Sequence, residues 1–109
     1  VTADDIFGDS RRWTNDASKV RWPDATMLIF LDAGLEDLWV RCRSAFNITS
    51  IPTTMPTKPT AVGSTVYVQD RYREPLSHYL AWACLLEDAE DTSNAKLAQY
   101  HWDKYEAGV

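Results

Sequence analysis

Four side chains have the chemistry to bind a metal or to act as nucleophile and base: Cys42, Cys84, His78 and His101. Zinc sites draw ligands from closely spaced pairs, and none of these four stands at such a spacing from another. Neither cysteine has a histidine at an offset that would activate a thiol. Ser77 and His78 are neighbours on a predicted helix, so they point in different directions. The acidic run Glu87, Asp88, Glu90 and Asp91 has carboxylates for calcium but lacks the glycine-turn loop. It reads as a solvated helix face, except that Glu90 is spaced after Leu86 so as to turn inward and accept hydrogen bonds. The four glycines are isolated, which excludes a phosphate-cradling loop. Paired carboxylates occur without a marked cleft, and acid–base work needs one. The expectation is a chain with no catalytic residue, no metal and no cofactor, and therefore not an enzyme.

Charge argues against a nucleic-acid reader. Acidic residues outnumber basic ones by 16 to 11, a formal net charge of −5. Duplex binding depends on Lys and Arg neutralising phosphates, and here they occur only in short groups such as Arg11-Arg12 and Arg41/Arg43. A recognition helix would need several exposed basic or amide groups, and the last helix offers only Lys96, Gln99 and Lys104 among acids. No apolar run reaches the roughly 18 residues that would span a membrane. The opening VTADDIFGDSRRW lacks the basic head and apolar run of a signal peptide, which predicts a soluble protein made in the cytoplasm. Both cysteines are then expected reduced, unless their two helices pack side by side at one level.

These residues must be positioned by helices, and 109 residues with 45% apolar content suit one domain with a single core. A first helix is predicted over about 3–15, capped by Thr2, with Asp4 and Asp5 in its first turn and Gly8 weakening it. Pro23 and Asp24 open a second helix over about 24–46. Its stripe of Leu28, Leu31, Leu35, Leu38 and Cys42 is the expected spine of the domain, widened by Phe30, Trp39 and Phe46. Asp37 and Arg41, four apart, are placed to pair. Residues 47–72 change character: ITSIPTTMPTKPT holds three prolines and five threonines, which excludes a helix and predicts an extended path. STVYVQ then alternates like a short strand, with Val66 and Val68 on one face, and must pair with another part of the chain or with a partner. Pro75 is predicted to open a helix to about 91, burying Leu76, Tyr79, Leu80, Ala83 and Leu86. Thr92, Ser93 and Asn94 suggest a break. A last helix over about 95–106 turns Ala98, Trp102 and Tyr105 inward, and Gly108 marks its stop. The fold expected is mainly α, a small bundle of three to four helices with an extended segment and a short β element between the second and third.

RWPDATMLIFLDAGLEDLW resembles adaptor proteins of tailed bacteriophages. The matching residues are Arg21, Trp22, Asp24, Ala25, Leu28, Leu31, Asp32, Gly34 and Leu38: an Arg-Trp, an Asp-Ala step, then a Leu-rich helix with an Asp-Gly-type break. PLSHYLAWACLLEDAEDTSNAKLAQYHWDKY is similar to the closing pattern of that family, with Asp88, Ala89, Glu90, Asn94, Ala98 and Tyr100 or Trp102 at corresponding places. VTADDIF looks like its opening helix. Together these cover about two-thirds of the chain. The resemblance implies a structural virion protein, a head-to-tail connector in the neck, assembled in the host cytoplasm. It implies a ring, commonly twelve-fold, of neighbouring copies beneath the portal protein, with tail or stopper proteins on the other side. DNA would pass through the lumen without specific binding, and surplus negative charge would keep the conduit from adhering to it. The alternative is a small cytoplasmic interaction module or regulator. Either way the candidate protein interface is Pro52, Met55, Pro56, Pro59, Val66, Tyr67, Val68 and Tyr72, which no predicted helix pair buries.

Overall fold

Thr2 closes a capping box with Asp5: the Thr2 hydroxyl accepts from the Asp5 N–H at 3.3 Å, and the Asp5 carboxylate accepts from the Thr2 N–H at 3.0 Å. In the computed structural model, which describes residues 1–16, 21–50, 52–87 and 92–109, this box starts α1, Ala3–Thr14. Two further orphan donors of its first turn go to a distant segment. Ala3 N–H donates to Ser64 O and Asp4 N–H to Val62 O. The helix stops at Asn15, whose left-handed backbone returns its N–H to Arg11 O.

Asp24 opens α2, Asp24–Arg41, as the Pro23–Asp24 pair predicts. Met27, Leu31, Leu35 and Leu38 are buried, while Leu28 and Trp39 pack half-buried against the core. The helix does not run to residue 46. Cys42 is the last to donate to the α-helical ladder, at Leu38 O, and its non-helical backbone leads into a 3-10 turn over Arg43–Phe46. That tighter turn swings Phe46 into the core, edge-on to Trp39 at 5.2 Å. No break occurs at Gly34 either. It lies within α2 because Tyr79 packs directly on its backbone, where an added Cβ would meet the ring at 2.8 Å.

Among the described residues between the 3-10 turns at Arg43–Phe46 and Asp70–Tyr72 there is no helix and no named strand. A single antiparallel bridge joins Thr65 to Thr2, and Val66 N–H donates to Val1 O. The expected alternation survives in burial: Val66 and Val68 are inside and Tyr67 is outside.

Helix α3, Arg73–Glu87, is the true centre of the domain, contrary to the expectation for α2. Every residue from Pro75 to Ala81 is buried, and α3 packs on α1, on α2 and on the last helix, α4, Thr92–Gly108. Thr92, Ser93 and Asn94 form the first turn of α4 rather than a break, and Ala98 and Tyr105 face inward with Trp102 half-buried. Pro75 approaches Gly108, and Tyr79 and Trp82 meet Trp102, so α3 and α4 pair antiparallel. The inward turn of Glu90, the acids at 88 and 91 and the matched Asp88–Ala89–Glu90 step lie outside the described residues. The class expected from sequence, a mainly α bundle, is the class observed, with four helices among the described residues.

Candidate functional site: an apolar docking face and a histidine pair

The segment expected to form the interface is largely inside the domain. Of the eight candidates, Val66, Val68, Tyr72 and Pro59 are buried, and Pro52, Met55 and Pro56 are half-buried. Only Tyr67 is exposed, at 47%. The reason is the demand of α1 for acceptors. Carbonyls of residues 62 and 64 cap its N–H groups, which draws the two valines over the core. Lys58 pairs with Glu36 of α2, and the Gln69 side chain donates to Asn47 O at 2.9 Å, holding the segment to its own chain.

Exposed apolar surface lies on α2 instead. Ile29 is 67% and Val40 82% exposed, and Ala33 is exposed between them. These positions fall on one side of the helix, opposite buried Leu31, Leu35 and Leu38, with exposed Glu36, paired with Lys58, between Ala33 and Val40. Ala33 also borders an open apolar groove lined by Phe30, Tyr79, Trp82, Ala83 and Leu86. Ala83 and Leu86 were expected in the core. Leu86 is 49% exposed and Ala83 half-buried, because the buried side of α3 near its end is carried by Cys84 and Leu85. The signal was present in the sequence: α2 carries two interleaved apolar series, and only one fits a single core-facing stripe.

His78 and His101, 23 residues apart, come together where α3 and α4 pair. Their Nδ1 atoms are 2.8 Å apart and both rings are buried. Trp13 of α1 stacks on His78 with centroids 4.0 Å apart and planes 9° from parallel, and it also covers His101 at 5.4 Å. Burial lowers the pKa of both rings; the neighbouring His78 adds to this for His101, which is brought to about 4. Ser77 forms no dyad with His78. Its hydroxyl donates to Arg73 O at 2.8 Å within the helix.

Both cysteines are free. Burial pushes the Cys84 thiol up to about 12, so it is an inert core group beside Met27. Cys42 is half-buried, and hydrogen bonds from the Ser44 and Tyr72 hydroxyls lower its pKa. Among the described residues no group of three or more His, Cys, Asp or Glu side chains is gathered as a metal site. No helix of the described residues is long and apolar enough to cross a membrane.

The Arg-Trp-Pro-Asp motif serves as a clamp between α1 and α2. Arg11, buried in α1, donates to Trp22 O at 2.7 Å and to Asp24 at 2.9 Å, and Asp16 accepts from the N–H groups of Arg21 and Trp22 at 3.1 Å each. Among the described residues, four helices form the domain, and the outer side of α2 exposes Ile29 and Val40. Comparison with protein-family models, with curated proteins and with solved structures returns no significant match.

Proposed function

We propose that this protein is a head-to-tail connector subunit of a tailed bacteriophage. In this reading it forms a ring beneath the portal protein and offers a docking surface to tail or stopper proteins. The observation that carries the reading is the outer side of α2, where Ile29 and Val40 stand in solvent and Ala33, between them, borders the Trp82–Leu86 groove. Exposed apolar surface of this kind is characteristic of proteins that work in contact with others. Head-to-tail ring contacts require two different faces of one subunit. The outer side of α2 is one candidate. The extended proline- and threonine-rich strap, with Tyr67 outward, is the other. The resemblance of the Arg21–Asp24 motif to phage adaptors supports the assignment, and that motif has a clear physical task in joining α1 to α2. The short β element belongs to the same reading: Thr65, already bridged to Thr2, marks where the strap would lengthen its pairing in a ring.

Electron microscopy of the chain mixed with the portal protein of the same genome tests this. An added ring under the portal, built of these helices, is the expected result. A bare portal beside a folded monomer would overturn the proposal and favour a lone interaction module.

A further inference from the structure

The histidine pair has a second consequence, independent of the connector reading. We propose that His78, His101 and Trp13 form a two-proton latch, which ties α1 to the α3–α4 pair while the histidines share one hydrogen bond and opens when both are protonated. At 2.8 Å, one Nδ1 must donate and the other accept. The Nε2 of His78 lies 3.6 Å from the Glu74 carboxylate, which favours a proton on that nitrogen. His78 therefore accepts at Nδ1, and His101 donates.

A first proton enters at His101 Nε2. The shared bond survives, because that ring still donates from Nδ1, and the proton of the bond can shift so that positive charge rests beside Glu74. The last lone pair open to a second proton is the Nδ1 that accepts the shared bond, so its uptake breaks that bond. Two N–H groups and two positive charges then face each other within a buried site, and the rings must part. Trp13 is stacked on both rings and is itself 39% exposed, so the cover of the pair already meets solvent on one side.

The charged surroundings set the balance. On α3, Glu74 favours the charged form. On α4, Lys104 opposes it, and Tyr100 meets both rings edge-on without charge. Arg71, in the turn before α3, lines the depression beside His78, and Asp9, Arg12, Asp70, Arg71, Arg73 and Glu74 line the one beside Trp13. Asp9, the α1 carboxylate in that lining, is already paired with Arg12 and Arg73.

Histidine nitrogen NMR and amide hydrogen exchange on the whole chain test the latch. At about pH 7.5, His101 should be the Nδ1–H tautomer and His78 the Nε2–H tautomer. Between that pH and about pH 4, exchange protection around Trp13 and over 98–105, corrected for intrinsic rate, should fall roughly tenfold or more while that of α2 holds. His101→Phe keeps an aromatic ring under Trp13 and removes the shared bond, and it should abolish this local loss. The proposal is overturned if both rings are Nε2–H tautomers at neutral pH. It is equally overturned if protection persists when both rings are protonated, or if the His101→Phe protein opens at the same pH. The tautomers are read on the unaltered protein, so the test does not depend on the variant folding.

Discussion

Arg11 of α1 and Asp24, the first residue of α2, are joined at 2.9 Å through the guanidinium Nη2, while Nη1 of the same group reaches Asp16 at 3.2 Å. The Arg11 and Asp16 side chains are only 5% and 3% exposed, whereas Asp24 is 35% exposed. Arg11→Met removes one partner of a buried ion pair, which costs about 3–5 kcal/mol, whereas Asp24→Asn removes a partly solvated partner and costs about 1 kcal/mol or less. Urea denaturation at neutral pH measures both. Equal losses would mean that the clamp works through Asp24 and not through the buried pair.

Gly34 and Gly8 should respond to alanine with opposite signs. A Cβ at Gly34 meets Tyr79 Cδ1 at 2.8 Å, and Tyr79 is packed among Trp82, Trp102 and Tyr105, so it has little freedom to retreat. Overpacking of this kind costs about 1–3 kcal/mol. At Gly8 nothing lies within 4 Å of the added atom, and the site is an exposed helix interior. There the helix preference of alanine adds about 0.5–1 kcal/mol. Thermal melting of the two variants gives the comparison directly.

Tyr105 is fully buried, and its hydroxyl donates to Asp37 at 2.6 Å, while Arg41 pairs with the same carboxylate at 2.9 Å. Burial, with the Asp37 hydrogen bond, raises the Tyr105 phenol far above its usual range. Tyr105→Phe keeps the ring in place and removes a hydrogen bond to a charged acceptor. The expected loss is about 1.5–3 kcal/mol. Chemical denaturation showing no loss would mean that Arg41 alone satisfies Asp37.

Stability should fall with acid earlier than carboxylates alone would cause. The unfolded chain takes protons on His78 and His101 near 6.5, whereas in the folded chain both are held lower, His101 at about 4. Below 6.5 the unfolded state therefore binds more protons, so this contribution is complete above 6.5 and is lost as pH falls toward about 4. At pH 5 the His101 share of that loss is about 2 kcal/mol. Urea midpoints of the wild-type chain across this range should decline, and those of His101→Phe should decline less. Parallel curves would assign the loss to other groups.

What could be read from the sequence was local. The Thr2 cap, the entry at Pro23–Asp24, the Asp37–Arg41 pair and the inward Ala98 and Tyr105 each follow from spacing along one helix. The alternation of Val66, Tyr67 and Val68 was equally legible, but not its destination, because the acceptors that α1 needs lie some 60 residues away in sequence. The His78–His101 contact was hidden for the same reason: periodicity places each on a helix without saying where two helices cross. Spacing after Leu76 and Leu80 points Ala83 and Leu86 inward, but near the end of α3 Cys84 and Leu85 carry the buried side.

The exposed side of α2 gives the sharpest test of the proposed connector role. Ile29 and Val40 are 67% and 82% exposed, so replacing both with Glu alters few packed atoms. Such surface changes usually shift stability by no more than about 0.5 kcal/mol. In an assembled ring the same two carboxylates would be buried without partners, and one charge left unpaired at an interface typically costs about 2–5 kcal/mol. The Ile29→Glu/Val40→Glu protein should therefore melt like wild type and fail to add a ring to the portal. Tyr67→Ala, at the exposed tip of the strap, separates the two candidate faces. If it alone prevents assembly, the strap is the main contact and α2 is only its neighbour. If ring formation survives both sets of changes, neither face carries the assembly.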